Sequence, residues 1–511
     1  MDNIGDDGSY FDPDEDGGET GRHNDDEASL PIQFVPIPAG ANPHHKSDHF
    51  QSDLARLISA IKSTLPQRYC YLEPTRQIFD IIGEKVVCGL LRVVAHLHDT
   101  EGDHWHYLIE FADRTGTVKE MLISAEELDL HANALSHRLV RKGFPLFASA
   151  SALSTLVRLW DSHGMGTIIT QPGWARLADG SLVFADSTGD LIYDPHLRRP
   201  LARAVTHSGP RQVAGSLSGW QDGVAKLAVG NPALVFALSL AVAAPLLDLA
   251  NAAPIGVNFY ARTSSGKSTA LKVMTSVYGD PSKLGSWNAT RTALEISAMH
   301  ANDGLLALDE FPSRPEPWRV SALMALGNGV GWARSNLTLT LTQAHRWRTV
   351  VASSAERSIR HFMKAAGIQL PEGASVRMID VPVRRWTYGL FADLHGHSNG
   401  QIFSEVLAKN AAEHHGHAGR TFMRWIIRHE ASLRNDLPAR VRAAEDKIRE
   451  HLSQDAPASE IGRVLHALAL VAVAGEYATE CGVLPWPAGT AIGAVCRIAE
   501  LWISRRDGEM P

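Results

Sequence analysis

Apolar residues along the chain change their period several times, and each change marks a different kind of element. Leu54, Leu57, Ile58 and Ile61 recur at helical spacing and predict an amphipathic helix over Gln51–Ser63. The period then shortens. Lys85–Ala95, His104–Phe111 and Val118–Ile123 read as strands, parted by polar turns at Thr100–Asp103 and Asp113–Gly116. Helical patterns follow at Ala125–Lys142 and Ala148–His163, and strand-and-turn signals return over Ile168–Ile192. Residues 65–205 therefore predict a mixed α+β domain, and it carries no catalytic signature. Trp220–Leu249 reads as helix, after which strands and helices alternate from Ile255 to Val383. That alternation is the α/β pattern of a nucleotide-binding domain, assigned to residues 206–386. Residues 387–511 read as helical, in segments over 400–415, 419–433, 436–452, 459–480 and 488–505.

Composition changes this picture mainly at one end. Residues 1–28 hold eleven acids against the single Arg22, so an acidic tail over 1–30 is expected to be disordered, with a linker and the first helix over 31–64. The formal net charge of −7 is concentrated there, and the rest of the chain is slightly basic. Such a balance neither demands nor excludes a nucleic-acid partner. Cys70, Cys88, Cys481 and Cys496 lie far apart with no Cys-x-x-Cys spacing, which suits reduced thiols in a cytosol. The acidic start is no secretory signal. The apolar stretch Ala233–Leu247 is short for a membrane span and contains Pro245, so it predicts a buried helix. A cytoplasmic protein without a membrane partner is expected.

The most specific local signal is the run Ala261, Arg262, Thr263, Ser264, Ser265, Gly266, Lys267, Ser268, Thr269. An apolar strand precedes it and Ala270–Met274 opens a helix, the setting in which backbone N–H groups wrap phosphates at a helix N-terminus. Lys267 is expected at the β- and γ-phosphates of ATP, and Ser268 on Mg²⁺. The pattern asks for glycine where Ala261 stands, and alanine takes a positive φ only at a cost. About forty residues on, Gly304–Leu308 ends in Asp309 and Glu310. Carboxylates at the tip of a buried strand suit water-mediated metal binding by Asp309 and water activation by Glu310. A further strand, Arg348–Ser354, is expected beside this one, with Ser353 as the hydroxyl that senses the terminal phosphate. Arg377 heads one more apolar strand and is expected to act as a finger on a neighbouring subunit's nucleotide.

Together these residues resemble the bacterial family called domain of unknown function nine-two-seven, which includes the cassette-chromosome helicases of Cch type. The likeness extends over roughly residues 70–505. It rests on Pro172-Gly173-Trp174, the loop just described, Tyr278-Gly279-Asp280-Pro281, Ser286-Trp287, and Thr290 with Leu294-Glu295. It continues through Leu308-Asp309-Glu310, Trp347-Arg348, Ser353 with Glu356, Gly373 with Arg377, and Gly475-Glu476-Tyr477-Ala478. The resemblance implies an AAA+ P-loop ATPase core, related to MCM-type helicases and usually encoded on mobile elements. A mixed α+β domain would precede that core and a helical lid-like region would follow it. It implies ATP and Mg²⁺ as cofactors, a homo-oligomeric ring, and single-stranded or forked DNA as partner. Ala261 and Ala355 replace glycines of the family pattern. The chain also ends at Pro511, without the winged-helix domain of longer relatives, which argues against sequence-specific origin binding.

Other constellations are weaker. The histidines at 96, 98, 104, 106, 395, 397, 414, 415 and 417 lack a cysteine or acid at zinc-ligand spacing and read as loop residues. Trp332–Arg334 and the alternation Leu337–Thr342 suggest a hairpin, either on a pore or on a plain surface. Arg420, Arg424 and Arg428 share a helical stripe that is either a charged face or the source of a lid arginine. Two functions fit this ensemble: an ATP-driven motor on nucleic acid, or an ATP-dependent oligomeric switch without translocation. A kinase lacks an acceptor-site signature, and no primase metal motif is present.

Overall fold

The computed structural model describes residues 47–162, 164–196, 200–205, 213–314, 316–332, 334–335, 341–342, 344–365, 367–368, 377–383, 386–453 and 459–508. The acidic tail and residues 369–376 lie outside the described residues. The chain divides into two units, Met1–Ser52 and Asp53–Pro511, and apart from the first turns of the opening helix everything below belongs to the second.

Helix α1 (Ser47–Thr64) buries Leu57 and Ile61, one helical turn apart, as its spacing predicts. Three short antiparallel strands follow: β1 (Tyr69–Leu72), β2 (Gln77–Asp80) and β3 (Lys85–Cys88). The expected strand Lys85–Ala95 is two strands, because the chain turns at Gly89, whose N–H donates to Pro145 O at 2.8 Å. Beyond the turn, β4 (Leu91–His98) alternates buried and half-buried residues, the mark of a strand with one covered face. With β5 (His106–Ala112), β6 (Val118–Ser124), β7 (Met165–Ile169) and β11 (Ala202–Ala204) it forms a mixed sheet ordered β11-β7-β4-β5-β6. The helix expected over Ala125–Lys142 breaks at His131 into α2 (Ala125–Leu130) and α3 (Ala132–Arg141). Helix α4 (Ala150–Leu159) starts where the Ser149 hydroxyl accepts the Ala152 N–H. A small meander of β8 (Gly173–Arg176), β9 (Leu182–Ala185) and β10 (Leu191–Ile192) completes this α+β region.

The helix expected over Trp220–Leu249 is interrupted. A π-helical turn occupies Gln221–Ala225, Gly230 takes a φ of 84°, and Pro232 starts α5 (Pro232–Ala243), which is buried on every side. The second sheet consists of β12 (Ile255–Tyr260), β13 (Gly285–Ser286), β14 (Leu305–Asp309), β17 (Val350–Ala355) and β18 (Met378–Pro382). Its order is β13-β14-β17-β12-β18 and every pair is parallel. Such a sheet is covered on both faces, which is why its strands are near-continuous apolar runs. Val257 and Phe259 face one core, with α5 and α6 (Lys267–Ser276). Leu306, Leu308, Val351 and Met378 face the other, with α7 (Arg291–His300), α8 (Pro317–Asn328) and α9 (Ile359–Ala365). The anticipated hairpin has its two ends as β15 (Arg334–Ser335) and β16 (Leu341–Thr342), which pair antiparallel; residues 336–340 lie outside the described residues.

The remainder is helical: α10 (Gly400–Glu413), α11 (His417–Leu452), α12 (Ser459–Glu480) and α13 (Thr490–Gly508). The expected break before residue 436 does not occur, and α11 runs for 36 residues with Pro438 inside it. Leu433, Leu437, Val441, Ala444 and Ile448 carry one buried stripe across the proline. Packing of that stripe outweighs an interior proline's cost of about 3 kcal/mol. Unlike Ala233–Leu247, Ile461–Glu480 is long and apolar enough to cross a membrane, but most of it is buried within the fold.

Candidate functional site

All five strands of the second sheet point the same way, so their C-terminal ends share one edge, where open α/β sheets place their ligands. At that edge β12 leads through Ala261 into the loop and α6. Ala261 is buried, donates its N–H to Ala355 O at 3.1 Å, and is not among the residues with positive φ. The expected cost of alanine there does not arise, because the left-handed positions are Ser264 (φ 62°) and Gly266 (φ 90°). Space adds to the backbone's preference for glycine at 266: a Cβ there would crowd the Phe391 ring at 3.1 Å and Leu390 Cβ at 3.2 Å. Leu390 N–H also donates to Ser265 O at 2.9 Å, so the segment after β18 braces the loop from outside. That segment is held in turn by the fully buried Asn231, whose Oδ1 accepts the N–H groups of Ala392 and Asp393.

Lys267 begins α6, and its Nζ donates to Ala261 O at 2.7 Å and Arg262 O at 3.1 Å. Burial pushes its pKa below the usual lysine value, against the opposing charges of Glu356 and Asp309. Ser268 is exposed on the same turn, whereas Thr269 is buried and hydrogen-bonded to Ser404 of α10. Across the cleft, Asp309 ends β14 and Glu310 follows with a φ of 63°, a conformation that costs a non-glycine residue on the order of 1–3 kcal/mol. The hydroxyl of Ser354 holds this corner: it accepts the Glu310 N–H at 3.0 Å and donates to Asp309 Oδ1. Lys267, Ser268, Asp309, Glu310, Ser354 and Glu356 thus line one cleft of about 940 Å³.

Other expected site residues fall elsewhere. Ser353 is fully buried, and its Oγ accepts the Trp287 Nε1–H at 2.8 Å, pointing away from the cleft. Successive strand residues face opposite ways, so the serine at the carboxylates is Ser354. Arg377 stands just before Met378, which pairs with Gly256, while Pro382 pairs with Tyr260 beside the loop. It therefore lies at the opposite edge of the sheet, roughly 16 Å along the strand. The arginine stripe on α11 does not reach the cleft either. Arg420 pairs with Asp190 and Arg428 with Asp194, both beside β10, and Arg420 and Arg424 line a separate cavity there. His414 and His415 lie in a loop as expected and serve local structure there: His414 Nδ1 accepts the Ser216 N–H, and His415 is buried rather than exposed. Among the described residues no cluster of histidine, cysteine or acid is arranged to hold a metal ion by itself.

The motif Pro172-Gly173-Trp174 acts at the other end of β14. Gly173 has a φ of 113°, and a Cβ on it would come within 2.3 Å of Asn302 Nδ2 and 2.5 Å of Asp303 Oδ2. Trp174 N–H donates to Asp303 Oδ2 at 3.1 Å, and Arg348 Nε donates to Asp303 Oδ1 at 2.7 Å. Burial pushes the Asp303 carboxyl above the usual range even with the Arg348 guanidinium against it. Glu356 and the residues of this junction stand in motifs of the sequence, but only the pairing of distant strands shows what they, and Ser354, touch.

The fold and cleft define an α/β protein with a glycine-lysine-serine loop facing strand-tip carboxylates across a parallel sheet's edge. A family model described as Domain of unknown function (DUF927) matches residues 70–346, more than half of the sequence, and the chain belongs to that family. No curated protein matches it. Among solved structures, "SCCmec type IV Cch - active helicase" aligns with a TM-score of 0.64 and 18% identity, over 86% of this chain and 78% of that one. At that identity the match is a likeness of fold.

Proposed function

We propose that this chain is an ATP-hydrolysing motor of the AAA+ kind that acts on nucleic acid as a DNA helicase or translocase. The observation that carries this reading is the cleft, which puts Lys267 and Ser268 opposite Asp309, Glu310 and Ser354. A nucleotide's β- and γ-phosphates fit the loop's backbone N–H groups and the helix N-terminus, with Lys267 leaving its loop carbonyls to meet them. Ser268 and Asp309 supply the one hydroxyl and one carboxylate that suit Mg²⁺ carried in on phosphates. Bound there, the ion neutralises charge on the β- and γ-oxygens. Glu310 takes the proton of the attacking water, and Ser354 fixes the acid pair through its two hydrogen bonds. Arg377 lies remote from its own chain's loop, and in this reading it serves the nucleotide of a neighbouring subunit in a homo-oligomeric ring. The solved neighbour described as a helicase supports a nucleic-acid partner, and DNA, a cytoplasmic setting and a mobile-element origin are what the sequence resemblance implies. Phosphate release measured with and without single-stranded DNA tests this, alongside particle size with a slowly hydrolysed ATP analogue. Stimulation by DNA and a ring-sized particle are expected. Hydrolysis indifferent to DNA would favour the switch.

A further inference from the structure

Hydrolysis as described leaves two carboxylates of the cleft unused, Glu356 and Glu405, of which Glu405 accepts from Gln401 on its own helix. Glu356 follows β17 directly and lines the cleft with Thr263, Lys267 and Asp309. Its Oε1 accepts the hydrogen bond of Thr263 Oγ1 at 2.9 Å. Thr263 is exposed in the loop, two residues after Ala261 and beside the left-handed Ser264. The loop is therefore closed on itself: Thr263 is turned to an acid, and Lys267 to the carbonyls of Ala261 and Arg262. Glu356 and Lys267 line the same cleft, so a terminal phosphate that meets the lysine also comes toward this carboxylate.

We infer that Glu356 is a charge gate of the phosphate loop, holding Thr263 while the terminal-phosphate position is empty and yielding only to a triphosphate. This rests on the cleft being an ATP site. A diphosphate leaves the position beside Glu356 vacant and the Thr263 bond intact. A triphosphate brings negative charge against the carboxylate and must displace it, which frees the Thr263 hydroxyl to donate to phosphate. Glu356 is exposed, so water screens this repulsion, and like charges about 4 Å apart there cost a few-fold in affinity. After hydrolysis the carboxylate returns to Thr263 as inorganic phosphate leaves, which opposes rebinding. Glu356 is thus a positioning residue that sets the balance between the two nucleotides and takes no proton itself.

Equilibrium binding of MgADP and of a magnesium-bound, slowly hydrolysed ATP analogue to the full chain tests this. In Glu356→Gln the amide oxygen still accepts from Thr263, so the loop keeps its shape without the charge. The analogue should bind about fivefold more tightly than to wild type, while MgADP changes less than about twofold. An unchanged ratio of the two affinities overturns the gate. Thr263→Val removes the hydrogen bond and keeps the charge, so its ratio should stay near that of wild type. If Thr263→Val raised the ratio as much as Glu356→Gln does, the hydrogen bond would be the cause and the charge gate would fall. Wild-type protein that binds neither nucleotide would instead overturn the ATP reading, and the gate with it.

Discussion

The two ends of β14 carry acids in the same unusual backbone conformation, yet their surroundings are opposite. At the entry Asp303 has a φ of 53°, and at the exit Glu310 has a φ of 63°. Asp303 is 1% exposed and held by Trp174 N–H, Asn302 Nδ2 and Arg348, which itself bridges to Asp248. Asp309 and Glu310 open onto a cleft, and among their described contacts the side chain holding them is that of Ser354. A buried acid whose hydrogen-bonding positions are filled by its own protein is a structural joint. Acids held in place but facing a cleft can act on something that enters it. The difference lies in who supplies the partners, and the strand geometry alone does not reveal it.

This contrast predicts that substitutions at the exit change chemistry and those at the entry change stability. The largest effect is expected across the subunit boundary. Arg377→Ala should bind ATP yet lose hydrolysis by a factor on the order of 10³, as arginine fingers commonly contribute. Mixing it with Lys267→Ala should restore part of the activity, because some interfaces then combine an intact Arg377 with an intact Lys267. A mixture as inactive as its components, while wild-type subunits demonstrably exchange, would remove the shared site. Glu310→Gln comes next: hydrolysis should fall on the order of 10²-fold or more with nucleotide affinity retained. Normal turnover in that variant would place the base elsewhere. At the entry, Gly173→Ala meets both a positive φ and a clash with Asn302 and Asp303. It should cost about 1–3 kcal/mol, seen as a lower melting temperature, while the bound fraction at saturating ATP is unchanged. An unaltered melting curve would mean that the junction is slack.

The sequence makes one of these ends legible and hides the other. The loop and the acids of β14 are contiguous residues between apolar strands, so their order along the chain already suggests a common edge. Ser354 is missed for Ser353 because strand register decides which of two adjacent serines faces the acids, and register comes from the neighbours Asn258 and Leu308. Trp174 meets Asp303 across 129 residues and Asp303 meets Arg348 across 45, so their motifs stand out without an interpretable role. The breaks at Gly89 and His131 and the continuity of α11 through Pro438 were hidden for the same reason. Local propensity yielded there to packing against distant segments.

The central claim is that the cleft binds and splits ATP, and it is tested most directly by phosphate release from wild type and Lys267→Ala under identical conditions. Lys267 is the cation that meets the β- and γ-phosphates, and its methyl replacement leaves the loop without one at that point. Wild type should release phosphate from ATP and Lys267→Ala should release none above background, with its nucleotide affinity lost and its melting temperature in the absence of nucleotide preserved. Equal phosphate release by the two proteins, or none by a folded wild type, would contradict the claim.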